Sequence, residues 1–441
     1  SWLLVDEKKY EYKNGYKSTN GKITWRCYNT EFPNCPGSVY TFGYKLPIYH
    51  NKDHEHQATI KTDVKAVKAK IKNLASEQPD STYLPTYNSS RQLCRNSRIN
   101  PYEKYDSPSD LDFILHEDFK STYKNENFIF FDSFGLDTDN SNRMMIFTTD
   151  KNLQLLNENR RWLCDGTFDA APSLFKQLFT VHILKNGKNL PLVYGLFVNK
   201  QQATYTKFFE LLKEKLNNDP LSLSCDYELA IINSIEEIFP ECEIHGCFFH
   251  LKKSIWRNVQ DCGLVTDYTT NEEIRMYCKM LACLAFVPID DVIIAFESLK
   301  KVVTNSSLQK LYTYFEKFYI GPMTRDRYPK RKTPQFQIEQ WNCHDRTLQG
   351  LPRTNNNLEG WHHALQSNIK SHPHLLCLID SLKLEQSNTE NLYIQLSTGL
   401  VNKRKAGYII LEEKLNQAIL NYSNSDKMSY LKHLSFMIEF K

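Results

Sequence analysis

Long apolar runs are missing from the 441 residues: none approaches the roughly 18–20 consecutive apolar positions of a membrane-spanning helix. The N-terminus lacks the charged, apolar and small-residue succession of a secretory signal. It begins at Ser1 instead of Met, so an upstream segment stays open. Without such a signal, the twelve cysteines read as reduced thiols or metal ligands and not as a disulfide framework; many sit in apolar stretches such as Leu163-Cys164 and Leu281-Ala282-Cys283. An intracellular location is the expectation. No internal repeat and no long low-complexity tract is visible, which excludes a repeat array.

A hydrophobic content of 41% with 24% charged residues describes a chain that can bury a real core, and its length suits two or three units. The net charge of +4 is unevenly spread. Residues 1–104 carry 17 Lys/Arg against 10 Asp/Glu, a surplus of +7 that leaves residues 105–441 at −3. A basic first part points to an anionic partner, nucleic acid being the commonest.

Residues 1–57 alternate polar with apolar or aromatic positions. Asn-Gly at 14–15 and 20–21 and Pro-Gly at 36–37 break them into short strands and hairpins. Over 61–76 the period changes: Val64, Val67, Ile71 and Leu74 share a helical stripe, beside a basic face of Lys65, Lys68 and Lys72. That face could contact phosphates or simply be solvated. Residues 77–110, rich in Pro, Ser, Asn and Asp, read as linker. Beyond them, strand-like runs at 128–131, 144–148, 162–168, 178–184, 192–197, 221–225 and 244–248 alternate in the second half with helical stretches at 205–216 and 227–238. A further helix would carry Trp256. The order predicts a mixed α/β sheet. Residues 270–320 are helical in pattern with Pro288 dividing them, 321–352 loop-rich and basic, and 356 onward helical again.

Cys27-x7-Cys35-x18-His54-x-His56 offers two thiolates and two imidazoles, enough to close a tetrahedral zinc site in a unit too small to build much core. By spacing alone these could equally be surface histidines and incidental cysteines. With Tyr10, Tyr12, the Gly21-Lys22-x-x-Trp25-x-Cys27 run and the His-Glu-His-Gln-Ala close, however, the stretch resembles a FLYWCH-type zinc finger. The resemblance implies a β-rich module that binds DNA or protein, and the basic balance favours DNA.

Asp165 interrupts the apolar run Trp162–Phe168, where a charge is costly unless it is paired or binds a cation. Asp226 ends a second strand, the place where α/β sheets gather ligands, although it would also serve as the cap of a helix starting at Tyr227. Asp165-Gly-Thr-Phe, the two strands after it, Asp226-Tyr-Glu-Leu-Ala-Ile, Phe239-Pro240 and Cys247-Phe-Phe-His250 together resemble the transposase domain of Mutator-like elements (MULE). A looser likeness runs through Trp341-Asn342 to Arg353-Thr-Asn-Asn-Asn-Leu-Glu359-Gly-Trp-His362, where such proteins carry a third carboxylate. No Cys-x-Cys…Cys-x-His finger follows, although some of these transposases have one.

This second resemblance implies a ribonuclease-H-like core at about 155–256, an all-α insertion at about 257–350 and catalytic and C-terminal helices at 353–441. All three fall within a domain of 111–441 that follows a finger of 1–57 and a basic linker of 58–110. It implies an acidic triad of Asp165, Asp226 and Glu359 holding Mg²⁺ or Mn²⁺, with His250 beside it as a further catalytic candidate; His362 and His363, on the stretch that carries Glu359, could contact substrate phosphates or equally face solvent. Zn²⁺ would be structural, the partner duplex DNA with a homo-oligomer admitted and no membrane, and the place of action the nucleus. Two aspartates and a glutamate suit hard cations that activate an attacking oxygen and stabilise a leaving one. Three functions remain open on this reading: an active transposase, a domesticated DNA-binding regulator without chemistry, and a nuclease acting on RNA–DNA hybrids. Cys242-x-x-His245-x-Cys247-x-x-His250 also admits a second zinc site, which alternation along a strand weakens.

Overall fold

The structure is a computed structural model that describes residues 3–6, 10–28, 32–44, 47–56, 102, 105, 108–136, 140–369, 371–399, 406–422 and 426–440. The chain divides into two compact units, Ser1–Ile99 and Asn100–Lys441. Lys65, Lys68 and Lys72 lie outside the described residues.

The first unit is a five-stranded sheet, β1 (Leu3–Val5), β2 (Glu11–Lys17), β3 (Lys22–Cys27), β4 (Ser38–Phe42) and β5 (Tyr49–Lys52), each antiparallel to the next. Of the two Asn-Gly pairs only the second makes a turn, with Gly21 at φ 82°. The first lies inside β2, where pairing slips between Asn14 and Tyr16. A Cβ on Gly15 would stand 3.2 Å from the Thr24 carbonyl oxygen, so glycine lets the bulged strand close on its neighbour. Alternation sends Tyr12, Ile23, Trp25 and Val39 to one face, where they form the buried core.

The second unit is built on a seven-stranded sheet in the order β12-β11-β8-β9-β10-β7-β6. Strands β8 (Arg161–Thr167), β9 (Gln177–Lys185) and β10 (Lys188–Phe197) are antiparallel. Helix Gln202–Lys213 then leads to β11 (Ser222–Cys225), and helix Leu229–Ile238 to β12 (Glu243–Gly246), both parallel to β8 on its other side. Strands β6 (Ile129–Asp132) and β7 (Met144–Phe147) extend the far edge. Trp162, Phe179, Phe197, Phe208 and Phe209 belong to one buried cluster. Leu178, Tyr194 and Leu196 join residues of helices Asn356–Asn368 and Leu375–Ser397 in another. The odd-numbered side chains of β9 therefore face the first cluster and the even-numbered ones the second.

Three local expectations need correction. Helix Leu229–Ile238 starts two residues later than the period suggests and has Glu228 at its N-cap, so Asp226 caps nothing. The strand expected to reach Phe248 stops at Gly246, where a Cβ would stand 2.5 Å from the Tyr227 ring, and Phe248 opens helix Phe248–Asp261. The loop-rich 321–352 stretch holds two short helices, Ile338–Trp341, closed by a reciprocal Gln337–Gln340 capping box, and His344–Leu348. No helix among the described residues is long and apolar enough to cross a membrane.

Candidate metal centres

In the first unit, Cys27 ends β3 and Cys35 follows the turn at Pro33-Asn34, the Pro36-Gly37 pair making no turn, while His54 and His56 follow β5. Their ligand atoms all lie within 4.8 Å of one another. Cys27 Sγ is 3.2 Å from His56 Nε2, and Cys35 Sγ 3.5 Å from His54 Nδ1. A tetrahedral zinc ion with Zn–N near 2.0 Å and Zn–S near 2.3 Å separates its ligands by roughly 3.3–3.8 Å, so the quartet fits. Gly37 makes the fit possible, because a Cβ there would sit 2.5 Å from His54 Nδ1.

The imidazoles are clamped from outside. Tyr10 stacks on His54 at 3.7 Å and 7°, and Phe32 on His56 at 5.0 Å and 10°. The Tyr12 hydroxyl, 2.7 Å from Asp6 Oδ2, donates to that carboxylate. Its oxygen is then left to accept from His54 Nε2, also at 2.7 Å, which makes Nδ1 the lone-pair atom aimed at Cys35. Burial, with Cys35 beside it, pushes the Cys27 thiol up to about 12; burial, with His56 beside it, lowers His54. The Cys27 thiol therefore gives up its proton only where a cation takes that proton's place, and His54 is held in the neutral form that can ligate a metal. Nothing local in the sequence indicates the Asp6–Tyr12–His54 relay, since sheet pairing brings it together.

In the second unit, Asp165 lies on β8, in the middle of the sheet, and is 7% exposed. Ser224 pairs with Leu163 in the parallel β11–β8 register, so two residues further on Asp226 comes beside Asp165. A Cβ on Gly166 would stand 2.5 Å from Gln177 Oε1, and the glycine's N–H is given to Asp165 Oδ1 at 2.8 Å. Glu359 comes from the first turn of helix Asn356–Asn368. The irregular segment before that helix is tied to the start of helix Phe248–Asp261: Phe248 N–H donates to the Arg353 carbonyl at 2.8 Å, and Asn355 N–H reaches Cys247 Sγ at 3.1 Å. Buried Cys247 is thereby an anchor for the Glu359 helix.

His250, one turn into its helix, stands between two of the acids. Its Nδ1 is 2.6 Å from Asp226 Oδ1 and its Nε2 3.6 Å from Glu359 Oε1. The contact is an ion pair, since neither Asp226 Oδ1 nor His250 Nδ1 makes a hydrogen bond among the described residues. Burial lowers the imidazole, but the close approach and charge of Asp226, with Cys247 adding to them, carry it up to about 11. Burial also raises the Glu359 carboxyl; Asp165 and Asp226 add to the rise and His250 opposes it. Glu359 therefore feels the charge of the two aspartates, which a divalent cation would relieve. Among the described residues, no set of three besides the Cys/His quartet lies within 4.8 Å of itself, so the acids surround His250 without closing a single coordination shell.

His362 does not face solvent. It lies one turn beyond Glu359 and is 7% exposed, with Nδ1 3.4 Å from Asp165 Oδ2, whereas His363 is exposed. Its Nε2 is 3.4 Å from Thr180 Oγ1, which is 2.7 Å from Nε2 of fully buried His182. Thr180 is the register partner of Asp165, so a buried polar file of His182, Thr180 and His362 backs that aspartate. Thr180 and His182 carry a sequence signal that is easy to miss: two polar side chains on one face of the otherwise apolar run 178–184. Cys242 and His245 lie elsewhere, His245 Nε2 standing 3.3 Å from Glu243.

Residues 161–254 match the family model of the MULE transposase domain. The match starts at the first residue of β8 and ends inside the helix of His250, so it spans Asp165, Asp226 and His250 and stops before Glu359. No curated protein matches the chain.

Proposed function

We propose that the protein is a transposase-derived nuclear DNA-binding protein in which a FLYWCH-type zinc finger docks on duplex DNA and a ribonuclease-H-like core cleaves and joins strands with Mg²⁺ or Mn²⁺. The observation that carries this reading is the MULE match over 161–254, which spans Asp165 on β8 and Asp226 just past the end of β11, the strand paired parallel to β8. The β8-β9-β10 meander with two parallel strands added beyond β8 supports the ribonuclease-H-like assignment.

Asp165, Asp226 and Glu359 would hold the divalent ions, which supply activation of the attacking oxygen and stabilisation of the leaving one in an in-line displacement at phosphorus. His250 holds Asp226 and Glu359 in orientation from one side and offsets part of their charge. The His362 file fixes the Asp165 carboxylate from the other. The quartet Cys27, Cys35, His54 and His56 would hold structural zinc.

The test is Mn²⁺-dependent cleavage and end joining of terminal-inverted-repeat DNA by the full chain, wild type against Asp165→Asn. Cleavage by wild type alone supports the catalytic reading; equal activity in both, or none in either, overturns it. One observation favours a second reading, a DNA-binding regulator without chemistry: the imidazole of His250 is paired with Asp226 where a metal would bind. That reading expects duplex binding lost in Cys35→Ser and unchanged in Asp226→Asn.

A further inference from the structure

The sheet of the first unit has a second face, opposite its core. Register and alternation set its side chains in three rows across the strands. Lys13, Arg26, Ser38 and Lys52 form one, Tyr16, Thr24, Tyr40 and Tyr49 the next, and Lys22 with Phe42 the third. Tyr16 is 68% exposed, Phe42 55% and Tyr49 41%, in a unit whose buried core is four residues. Tyr40 and Tyr49 stack at 5.0 Å and 15°, and Phe42 meets both edge-on at 6.0 and 6.2 Å. Lys22 Nζ lies 3.8 Å from the Tyr40 ring centre.

A cross-strand aromatic pair alone would be explained by sheet stability. Phe42 and Tyr16 go beyond that, leaving ring faces and edges to water at the tip and along the strand. The surroundings also select the occupant. Four cations flank the rings, and no carboxylate stands in the three rows; Glu11, beside Lys13 on β2, is 9% exposed. Such a face repels a second copy of itself and suits a polyanion that carries flat, apolar groups. Duplex DNA offers the anion but hides its base faces, whereas an unpaired strand offers both.

We infer that this face is a stacking platform for single-stranded nucleic acid, with bases laid on Phe42, Tyr40, Tyr49 and Tyr16 and phosphates met by Lys13, Lys22, Arg26 and Lys52. The inference rests on the nucleic-acid reading of the unit and adds to it the kind of strand and the face that receives it. The role it defines is to hold strands opened next to a duplex site.

The experiment is fluorescence anisotropy of the zinc-loaded full chain with three probes of equal length: a mixed-sequence single strand, its duplex, and an abasic single strand that keeps phosphates and lacks bases. Wild type is expected to bind the single strand at least tenfold more tightly than the abasic one. Phe42→Ala and Tyr49→Ala should each remove roughly tenfold of the single-strand affinity and leave the abasic strand alone. Phe42→Leu, which keeps apolar bulk but no π face, guards against a merely structural loss, and zinc content checks the fold. Lys22→Gln should weaken all three probes and flatten the salt dependence by about 0.7 in slope for the single strands. Equal binding of single and abasic strands, with aromatic variants unchanged and duplex binding intact, overturns the platform and leaves duplex docking standing. No binding of any probe overturns both, and binding of the single strand with Phe42→Leu unaffected rejects stacking.

Discussion

In the first unit four side chains, Tyr12, Ile23, Trp25 and Val39, make the buried core, and the Cys/His quartet stands beside them. In the second unit, apolar clusters cover a seven-stranded sheet, and its polar candidates sit within that packing. Both units must hold polar groups still. The small one has little apolar area to do so and relies on outer rings, a hydrogen-bond relay and, under the proposed function, zinc ligation. The large one uses sheet register: Asp226 lies beside Asp165 because β11 pairs with β8. Geometry that depends on a cation should vanish with it, and geometry that depends on a core should not.

Chelation tests this contrast with the largest effect. Structural zinc in small fingers is worth about 10–16 kcal/mol of apparent binding energy, so removing it, or making Cys35→Ser, should unfold residues 3–56. Two transitions in calorimetry, with only the lower one abolished, are expected; loss of both would mean that the units are not independent. The converse variant is Phe179→Ala. Phe179 is fully buried against Phe197, Tyr205 and Phe208, so its truncation should cost about 3–5 kcal/mol. The upper transition should fall while zinc content stays unchanged.

What the sequence makes legible follows the same division. Strands β8, β9 and β10 are visible because each is an apolar run long enough to be buried on both faces, and Asp165 and Asp226 are visible as charges set against those runs. The quartet is visible because its spacing and aromatic companions are local. Helix Asp150–Glu158 is not visible: it is short and mostly polar, buries Asn152, Leu153 and Leu156, and needs its Thr149 cap and the sheet beneath it. The role of Cys247 is hidden for another reason. Its partner, the N–H of Asn355, is more than a hundred residues away, and only the fold unites them. Tyr12, in contrast, looks like an ordinary core aromatic, and its hydroxyl's link to His54 depends on a register no composition reveals.

That hydroxyl sharpens the comparison at smaller scale. Tyr12→Phe keeps the ring in the core but removes the acceptor that orients His54, leaving Asp6 to the Tyr10 N–H and His50. Outer hydrogen bonds of this kind are worth roughly 10–100-fold in metal affinity, about 1.4–2.7 kcal/mol. Competition with a chromogenic chelator should show that loss for Tyr12→Phe and a smaller one for Tyr10→Phe, which keeps its stacking on His54 but gives up its hydroxyl's bond to the His56 carbonyl. Equal affinities for Tyr12→Phe and wild type would mean that the quartet alone sets the site.

The smallest expected effect lies behind Asp165. Thr180→Val preserves shape but takes away the hydroxyl shared by His182 and His362, leaving a fully buried imidazole without that bond. An unmet buried polar group costs about 1–2 kcal/mol, and the upper calorimetric transition should fall accordingly. Because His362 also faces Asp165, Mn²⁺ titration followed by electron paramagnetic resonance should show severalfold weaker binding in Thr180→Val and wild-type binding in Thr180→Ser. If wild type binds no Mn²⁺, the acidic centre itself is not a metal site. If wild type and Thr180→Val bind alike, the file of polar side chains serves the packing of helix Asn356–Asn368 on the sheet and not the aspartate. The second unit would then hold its acids by register alone, the opposite extreme from the ring-clamped Cys/His quartet of the first.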